Sequence, residues 1–121
     1  LKIGGLFIFD FWYSAAVQFQ KPEIRLKKFE NEKIKITRLA EPINKYNENV
    51  VLVKYNFWIE DKINSKLKKF EEVHPMRYFS IPEIESYSDK YNFEIIKVEE
   101  WLSKREISEK TWSPCIVLRK I

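Results

Sequence analysis

Apolar residues follow one another without interruption near the start of the chain, and this run is the first element that the pattern predicts. Residues 6–9 read Leu-Phe-Ile-Phe, which is typical of a strand whose two faces are both covered in an α/β sheet. The only two glycines, Gly4 and Gly5, come directly before it. Because glycine accepts the left-handed conformation that ends a helix, we expect residues 1–3 to be a last helical turn and residues 6–11 to be a central strand.

From Pro22 onward, apolar and polar positions alternate, which predicts strands with one buried face. The alternating runs are residues 24–27, 33–37, 51–59 and 67–76. Tight turns are predicted at residues 31–32 and 61–65, and Pro42 with the polar residues 44–49 predicts a longer connection. The segment therefore predicts an antiparallel meander of three or four strands.

A helix start follows the meander. Ser80 has the position of an N-cap, Pro82 lies in the first turn, and Glu83 stands at the capping-box position. Ile81, Ile84, Tyr87 and Tyr91 form its apolar stripe, and Asn92 is expected to end it. Strands are predicted at residues 93–98 and 115–118, with a loop or short helix at residues 103–110 between them. These elements divide one partial domain into residues 1–21, 22–79 and 80–121.

Composition and charge narrow the class of protein. The chain has 121 residues, of which 45% are hydrophobic and 16% aromatic, as expected for one domain, or part of one, that buries a core. Its 22 basic and 18 acidic residues give a net charge of +4. The two signs are interleaved, which indicates a solvated surface and no nucleic-acid footprint.

Few residues are of the kinds that bind metals or form disulfides. Cys115 is the only cysteine and His74 the only histidine, so we expect no internal disulfide and no metal site. Cys115 lies in an apolar run, which predicts a buried, unreactive thiol. The apolar run at the start is interrupted by Asp10 and is shorter than a membrane span. We therefore expect a cytoplasmic protein without membrane association.

The order of elements resembles the C-terminal half of a class I S-adenosylmethionine-dependent methyltransferase. Residues 1–10 look like the helix end and fifth strand of that fold, although Ile3 stands where the family usually has proline. Residues 93–96 look like its sixth strand, and residues 112–120 look like its seventh, which in the family lies antiparallel between the fifth and sixth. The meander looks like the substrate-side insertion of a branch that includes N-methyltransferases of nucleotide-linked amino sugars. Three segments carry this closer resemblance: Trp12-Tyr13, Glu71-Glu72-Val73-His74 and Arg77-Tyr78-Phe79.

The resemblance implies an α+β fragment of an α/β Rossmann-like fold, made of the last three sheet strands, the meander insertion and one main helix. It implies S-adenosylmethionine as the cofactor of the full-length family and a small molecule as the substrate. The family binds this cofactor with a glycine-rich loop, and no glycine follows Gly5 in this chain. We therefore expect these residues to be the substrate-binding portion, without cofactor-binding residues and inactive alone.

Five residues are candidates for the site. Trp12 and Tyr13 follow the carboxyl end of the first strand, where ligands of open α/β sheets bind; they line a substrate pocket or pack the insertion against the sheet. His74 shares a strand face with Glu72, so it is either a general base for the methyl acceptor or a structural histidine. Arg77 either binds an anionic substrate group or forms a surface ion pair with a glutamate of the insertion.

A second hypothesis is a free-standing α+β ligand-binding or interaction module without catalysis. The first strand decides between the two, because a strand that is apolar on both faces and unprotected by charge or proline is poorly suited to a sheet edge. If the chain folds alone, we expect this strand to be covered by a second copy in a homodimer or swapped assembly.

Overall fold

The computed structural model describes all 121 residues, Leu1–Ile121. They form two compact units, one made of Leu1–Lys21 with Arg77–Ile121 and the other of Pro22–Met76. The elements in chain order are β1 (Leu6–Asp10), β2 (Trp12–Tyr13), α1 (Ser14–Gln20), β3 (Arg25–Glu30), β4 (Ile34–Lys45), a 3₁₀ turn (Tyr46–Glu48), β5 (Val50–Asp61), β6 (Lys66–Phe79), α2 (Ile81–Lys90), β7 (Phe93–Glu100) and β8 (Pro114–Lys120).

The first unit contains a three-stranded sheet in the order β1-β8-β7. Strand β8 is antiparallel to both neighbours, with Ile8 opposite Val117 on one side and Val98 opposite Ile116 on the other. The last strand of the chain thus lies between the first and the one before it, as the resemblance predicts. The predicted fold class is confirmed, including the strand order and the main helix.

Helix α2 begins and ends as its sequence predicts. The Ser80 hydroxyl accepts a hydrogen bond from the Glu83 N–H, and Pro82 lies in the first turn. At the other end, Asn92 adopts a left-handed conformation with φ 59°. Such caps satisfy backbone groups that lack partners within the helix. A second helix, α1, forms directly after β2.

The buried core of the first unit lies between α2 and the three-stranded sheet. It consists of Phe11, Ile84, Ile116 and Leu118, with Phe9, Tyr13, Phe79, Ile81, Phe93, Ile95 and Val98 packed against it. Ile116, on the central strand β8, is completely buried. Tyr87 and Tyr91, predicted on the apolar stripe of α2, are 45% and 55% exposed, so only the first half of that stripe is buried.

Strand β1 differs from its prediction as a central strand. It pairs with β8 alone and therefore forms an edge of the sheet. Its apolar side chains point to both faces, and Leu6, Phe7 and Ile8 are 52%, 50% and 57% exposed. No other segment within the 121 residues pairs with its second side.

The two glycines form the turn before β1, but residues 1–3 are not helical. Gly4 has φ +81°, and a side chain on Gly5 would meet the Lys2 carbonyl oxygen at 2.9 Å. The Gly5 N–H donates to that same oxygen, also at 2.9 Å. Both positions therefore favour glycine for local backbone reasons.

In the second unit, β3, β4 and β5 form consecutive antiparallel pairs, and β6 is the hydrogen-bonded neighbour of β5. The predicted tight turns are present. The Asn31 side chain accepts hydrogen bonds from the N–H groups of Lys33 and Ile34, both at 2.8 Å. The Asp61 carboxylate accepts from Ile63 and Asn64 in the same way.

The connection predicted at Pro42 and residues 44–49 is shorter than expected, because the strand before it is longer. Strand β4 continues through Pro42, which pairs with Val53, and ends at Lys45. Strand β3 begins at Arg25, opposite Ala40, so β4 has no partner on its second side beyond Ala40. Proline, which lacks an N–H, is tolerated in strands at such unpaired edges. The chain then reverses in the 3₁₀ turn and the left-handed residue Asn49.

Candidate functional site

His74 and Glu72 lie in contact on β6. The His74 Nε2 atom is 2.9 Å from the Glu72 Oε2 atom, and the two side chains are 49% and 50% exposed. The alternation of a strand places residues two apart on the same face, so the sequence prediction of this pairing agrees with the geometry. A carboxylate in this position orients the imidazole and leaves its other nitrogen available for proton transfer.

Tyr55 on β5 contacts both His74 and Arg38, a residue that the sequence did not indicate as part of a site. The ring of Tyr55 stands edge-on to His74, with 5.1 Å between the ring centres. The guanidinium of Arg38, on β4, lies 5.4 Å from the centre of the same ring. This contact follows from the strand register, in which Arg38 is opposite Phe57 and Ala40 is opposite Tyr55.

The guanidinium of Arg38 is only partly satisfied. Its Nε atom is buried and has no hydrogen-bond partner. The Tyr55 ring offers an electrostatic contact to the cation but no acceptor for this N–H. Arg38 is therefore a charged donor that is held in place with one hydrogen-bonding position unused.

Two more aromatic residues extend the same surface. Phe57 lies beside Tyr55, with ring centres 6.0 Å apart, and stacks on Phe70 of β6 at 4.7 Å and an interplanar angle of 13°. We call the set Arg38, Tyr55, Phe57, Phe70, Glu72 and His74 the meander face. It combines flat apolar rings with a cation and a histidine–carboxylate pair, all within the second unit.

Trp12 and Tyr13 belong to the first unit and make packing contacts. The Trp12 ring stands edge-on to Trp112 at 5.5 Å, and the Tyr13 N–H donates to the Trp112 carbonyl at 3.0 Å. The Trp112 Nε1–H in turn donates to the Gln20 side chain at 3.0 Å. Trp12 and Tyr13 are half-buried. None of these contacts is with the insertion, and a role in substrate binding stays a prediction.

Arg77 is the most fully paired of the five predicted residues. Its guanidinium donates to the Tyr78 carbonyl and to the Glu83 carboxylate, and it lies 4.4 Å from the centre of the Phe79 ring. The ion-pair alternative expected a glutamate of the insertion, whereas the observed partner is in the first turn of α2. With both terminal nitrogens engaged, Arg77 has little capacity left for a substrate anion.

The predicted residues thus fall into two groups. Glu72 and His74 meet in the second unit, whereas the other three belong to the first. In the first unit, β2 runs parallel to the end of β6, and Tyr13 lies opposite Phe79, the residue whose ring the Arg77 guanidinium contacts.

Cys115 is half-buried rather than buried. Burial raises the pKa of its thiol, and the negative charges of Glu99 and Asp10 raise it further. The thiolate is the nucleophilic form of cysteine, so this environment agrees with an unreactive thiol. No group of three or more His, Cys, Asp or Glu side chains is placed to hold a metal ion. None of the helices combines the length and apolar character needed to cross a membrane.

The fold is similar to that of several methyltransferases of known structure. A S-adenosylmethionine-dependent methyltransferase from Clostridium acetobutylicum matches 99% of this chain with a TM-score of 0.73 and 19% identity. CalS10, an amino pentose methyltransferase of calicheamicin biosynthesis from Micromonospora echinaspora, matches all of it with a TM-score of 0.71 and 15% identity. The sugar N-methyltransferase KedS8 from Streptoalloteichus matches 99% with a TM-score of 0.73 and 15% identity.

The match covers only part of each of these proteins. The chain spans 46%, 46% and 44% of the three, about half of their length. No protein-family model and no curated protein sequence matches the chain. The 121 residues therefore have the fold of about half of a S-adenosylmethionine-dependent methyltransferase.

Proposed function

We propose that these residues are the substrate-binding part of a S-adenosylmethionine-dependent methyltransferase that acts on a small molecule, and that the cofactor-binding part lies outside them. The observation that carries the proposal is the insertion of β8 between β1 and β7, combined with the likeness to methyltransferases that include two sugar enzymes. The only glycines belong to the turn before β1, so no glycine-rich loop is available for a cofactor.

The exposed first strand supports this proposal over a free-standing module. Leu6, Phe7 and Ile8 expose half or more of their surface on an edge that carries free backbone groups. Sheet edges that face water in independent domains are protected by charges, prolines or bulges, and β1 has only Asp10 at its end. A further strand and covering helices, supplied by the cofactor-binding part, would bury this surface.

In this proposal, His74 is the general base on the substrate side. An amine or hydroxyl must lose a proton when it accepts a methyl group, and the imidazole can take it. Glu72 orients the ring through the contact of 2.9 Å and stabilises the imidazolium that forms. The aromatic residues of the meander face would hold the acceptor, since methyl transfer depends mainly on placing the acceptor in line with the methylsulfonium.

Cofactor binding tests the proposal. The 121 residues and the protein made from the uninterrupted reading frame that contains them are titrated with S-adenosylmethionine in a calorimeter. We expect binding by the longer protein and none by the 121 residues. Micromolar binding by the 121 residues would show that the cofactor site lies within them. A reading frame without a further strand and glycine-rich loop would favour the free-standing module.

The role of His74 has its own test in the longer protein. His74→Gln preserves much of the side-chain shape but removes the base, so we expect the rate of S-adenosylhomocysteine formation with an amino sugar acceptor to fall about 10²- to 10⁴-fold. Glu71→Gln is the matched control, because Glu71 is next to Glu72 in sequence but contacts Lys54, at 3.9 Å. An unchanged rate in His74→Gln would exclude His74 as the base.

A further inference from the structure

We infer that Tyr55 is a positioning residue for His74, and that the Nδ1 atom of His74 is the one that accepts the proton of the methyl acceptor. This role rests on the proposed function, in which His74 is the general base. Two contacts of the imidazole carry it. The Glu72 carboxylate lies 2.9 Å from Nε2, and the Tyr55 ring lies 5.1 Å from the imidazole, measured between ring centres.

The Glu72 contact determines which ring nitrogen carries the hydrogen. An ionised carboxylate can only accept hydrogen bonds, and a neutral imidazole has one N–H and one acceptor nitrogen. Because the Glu72 Oε2 atom contacts Nε2, the hydrogen belongs on Nε2 and the free lone pair on Nδ1. Nδ1 makes no hydrogen bond within the chain, so it is available to a substrate proton.

The contact with Glu72 alone does not hold the imidazole firmly. The His74 and Glu72 side chains are 49% and 50% exposed, and charged pairs at a surface are weak because water and salt screen them. Both residues also belong to the same strand, so the two side chains can rotate apart without any change in the sheet. A ring with several orientations would present Nδ1 to the acceptor only part of the time, and catalysis depends on placement.

Tyr55 supplies the second contact from a neighbouring strand. Its ring stands at 90° to the imidazole, and the separation of 5.1 Å is within the range of favourable edge-on aromatic pairs. Strand β5 has hydrogen-bonded neighbours on both sides, β4 and β6, so the backbone of Tyr55 is fixed. The imidazole is therefore in contact with a carboxylate on its own strand and with an aromatic ring on the next.

The Tyr55 ring is itself supported. Its centre lies 6.0 Å from that of the Phe57 ring and 5.4 Å from the Arg38 guanidinium. These contacts involve the strand before Tyr55 in the sheet and its neighbour two residues along β5. Removing the Tyr55 ring should leave His74 with Glu72 as its only partner.

The ring nitrogens of His74 can be observed directly by ¹H–¹⁵N NMR, because His74 is the only histidine and its signals need no further assignment. The ¹⁵N-labelled 121-residue chain is measured at about pH 8.5, where an ordinary histidine is neutral. Free histidine, whose two tautomers exchange, is measured in the same buffer. We expect the nitrogen shifts of His74 to be displaced from those of free histidine toward the pure Nε2–H tautomer. We also expect nuclear Overhauser effects between the ring protons of His74 and Tyr55.

Three variants separate the role of the Tyr55 ring from general effects on the fold. Tyr55→Leu removes the ring but keeps an apolar side chain, and the nitrogen shifts of His74 should return toward those of free histidine. Tyr55→Phe keeps the ring and should retain the shifts of the unsubstituted chain. Tyr46→Leu is the matched control, since Tyr46 is 55% exposed in the 3₁₀ turn, and it should leave the His74 shifts unchanged.

Shifts of the Nδ1–H tautomer, or shifts equal to those of free histidine, would overturn the assignment of Nδ1. Unchanged shifts in Tyr55→Leu, or equal changes in Tyr55→Leu and Tyr46→Leu, would overturn the role of Tyr55. If Tyr55→Leu does not fold, the Overhauser effects in the unsubstituted chain decide, and their absence would overturn that role as well. The measurement involves neither cofactor nor methyl transfer, so its failure is distinct from failure of the proposed function.

Discussion

Replacing Ile116 with alanine removes three carbon atoms from the centre of the first unit. The side chain has no exposed surface and contacts a cluster formed by Phe11, Ile84 and Leu118. It lies on β8, which is hydrogen-bonded on both sides to β1 and β7. The backbone therefore has little freedom to move inward, so most of the cavity left by the substitution should remain.

Isoleucine-to-alanine substitutions in cores cost about 2–5 kcal/mol, and we expect about 3–4 kcal/mol for Ile116→Ala. With a urea m-value of about 1.5 kcal/mol/M, which is ordinary for a chain of this size, the midpoint of unfolding should fall by about 2 M. The control is Ile96→Ala on β7, where the side chain is 41% exposed and sits at a register shift. It should cost about 1 kcal/mol or less.

Both variants and the unsubstituted chain are unfolded in urea at one protein concentration and followed by circular dichroism. Equal midpoints for the two variants would refute the placement of Ile116 in the core. The comparison also requires that the m-values agree, because a changed m-value reports a changed unfolded or native state instead of lost packing.

Three further predictions concern the helix cap, the thiol and the free strand. Ser80→Ala removes the acceptor for the Glu83 N–H and should lower the free energy of unfolding in urea by about 1 kcal/mol. Ser80→Asp is the control, because aspartate retains a cap. Equal losses of stability in both variants would contradict the role of Ser80 as the cap. Because burial raises the pKa of Cys115 above its ordinary value of 9.0, iodoacetamide should alkylate the folded chain more slowly than the urea-unfolded chain at neutral pH, and equal rates would contradict this environment. Light scattering of the 121-residue chain should show a dimer, since β1 exposes Leu6, Phe7 and Ile8; a monomer over a wide concentration range would show that the strand is stable uncovered.

Much of the fold could be predicted because the caps, turns and strands depend on residues close in sequence. The order of these elements along the chain then indicated the fold class. The Ser80 cap, the Asn31 turn and the alternation of β5 each depend on residues close in sequence. Pro42 was misleading for a physical reason: proline interrupts a strand only where its missing N–H is needed, and the pairing of β3 with β4 stops at Ala40. Whether an edge is paired depends on tertiary structure and is not visible in the local pattern.

The candidate site could be predicted only in part. Glu72 and His74 are two residues apart, so alternation alone brings them together. Arg38 and Tyr55 are far apart in sequence and meet because of the register between β4 and β5. A shift of one residue would place Arg38 on the opposite face. The predicted alternating run ends at residue 37, so alternation does not mark Arg38, and the register that brings it to Tyr55 is a property of the folded sheet.

The central claim is that these residues are the substrate-binding part of a methyltransferase whose cofactor-binding part lies elsewhere. Calorimetric titration of S-adenosylmethionine into the 121-residue chain and into the product of its uninterrupted reading frame tests it most directly. We expect binding by the longer protein alone. Micromolar binding by the 121 residues, or no binding by the longer protein, would contradict it.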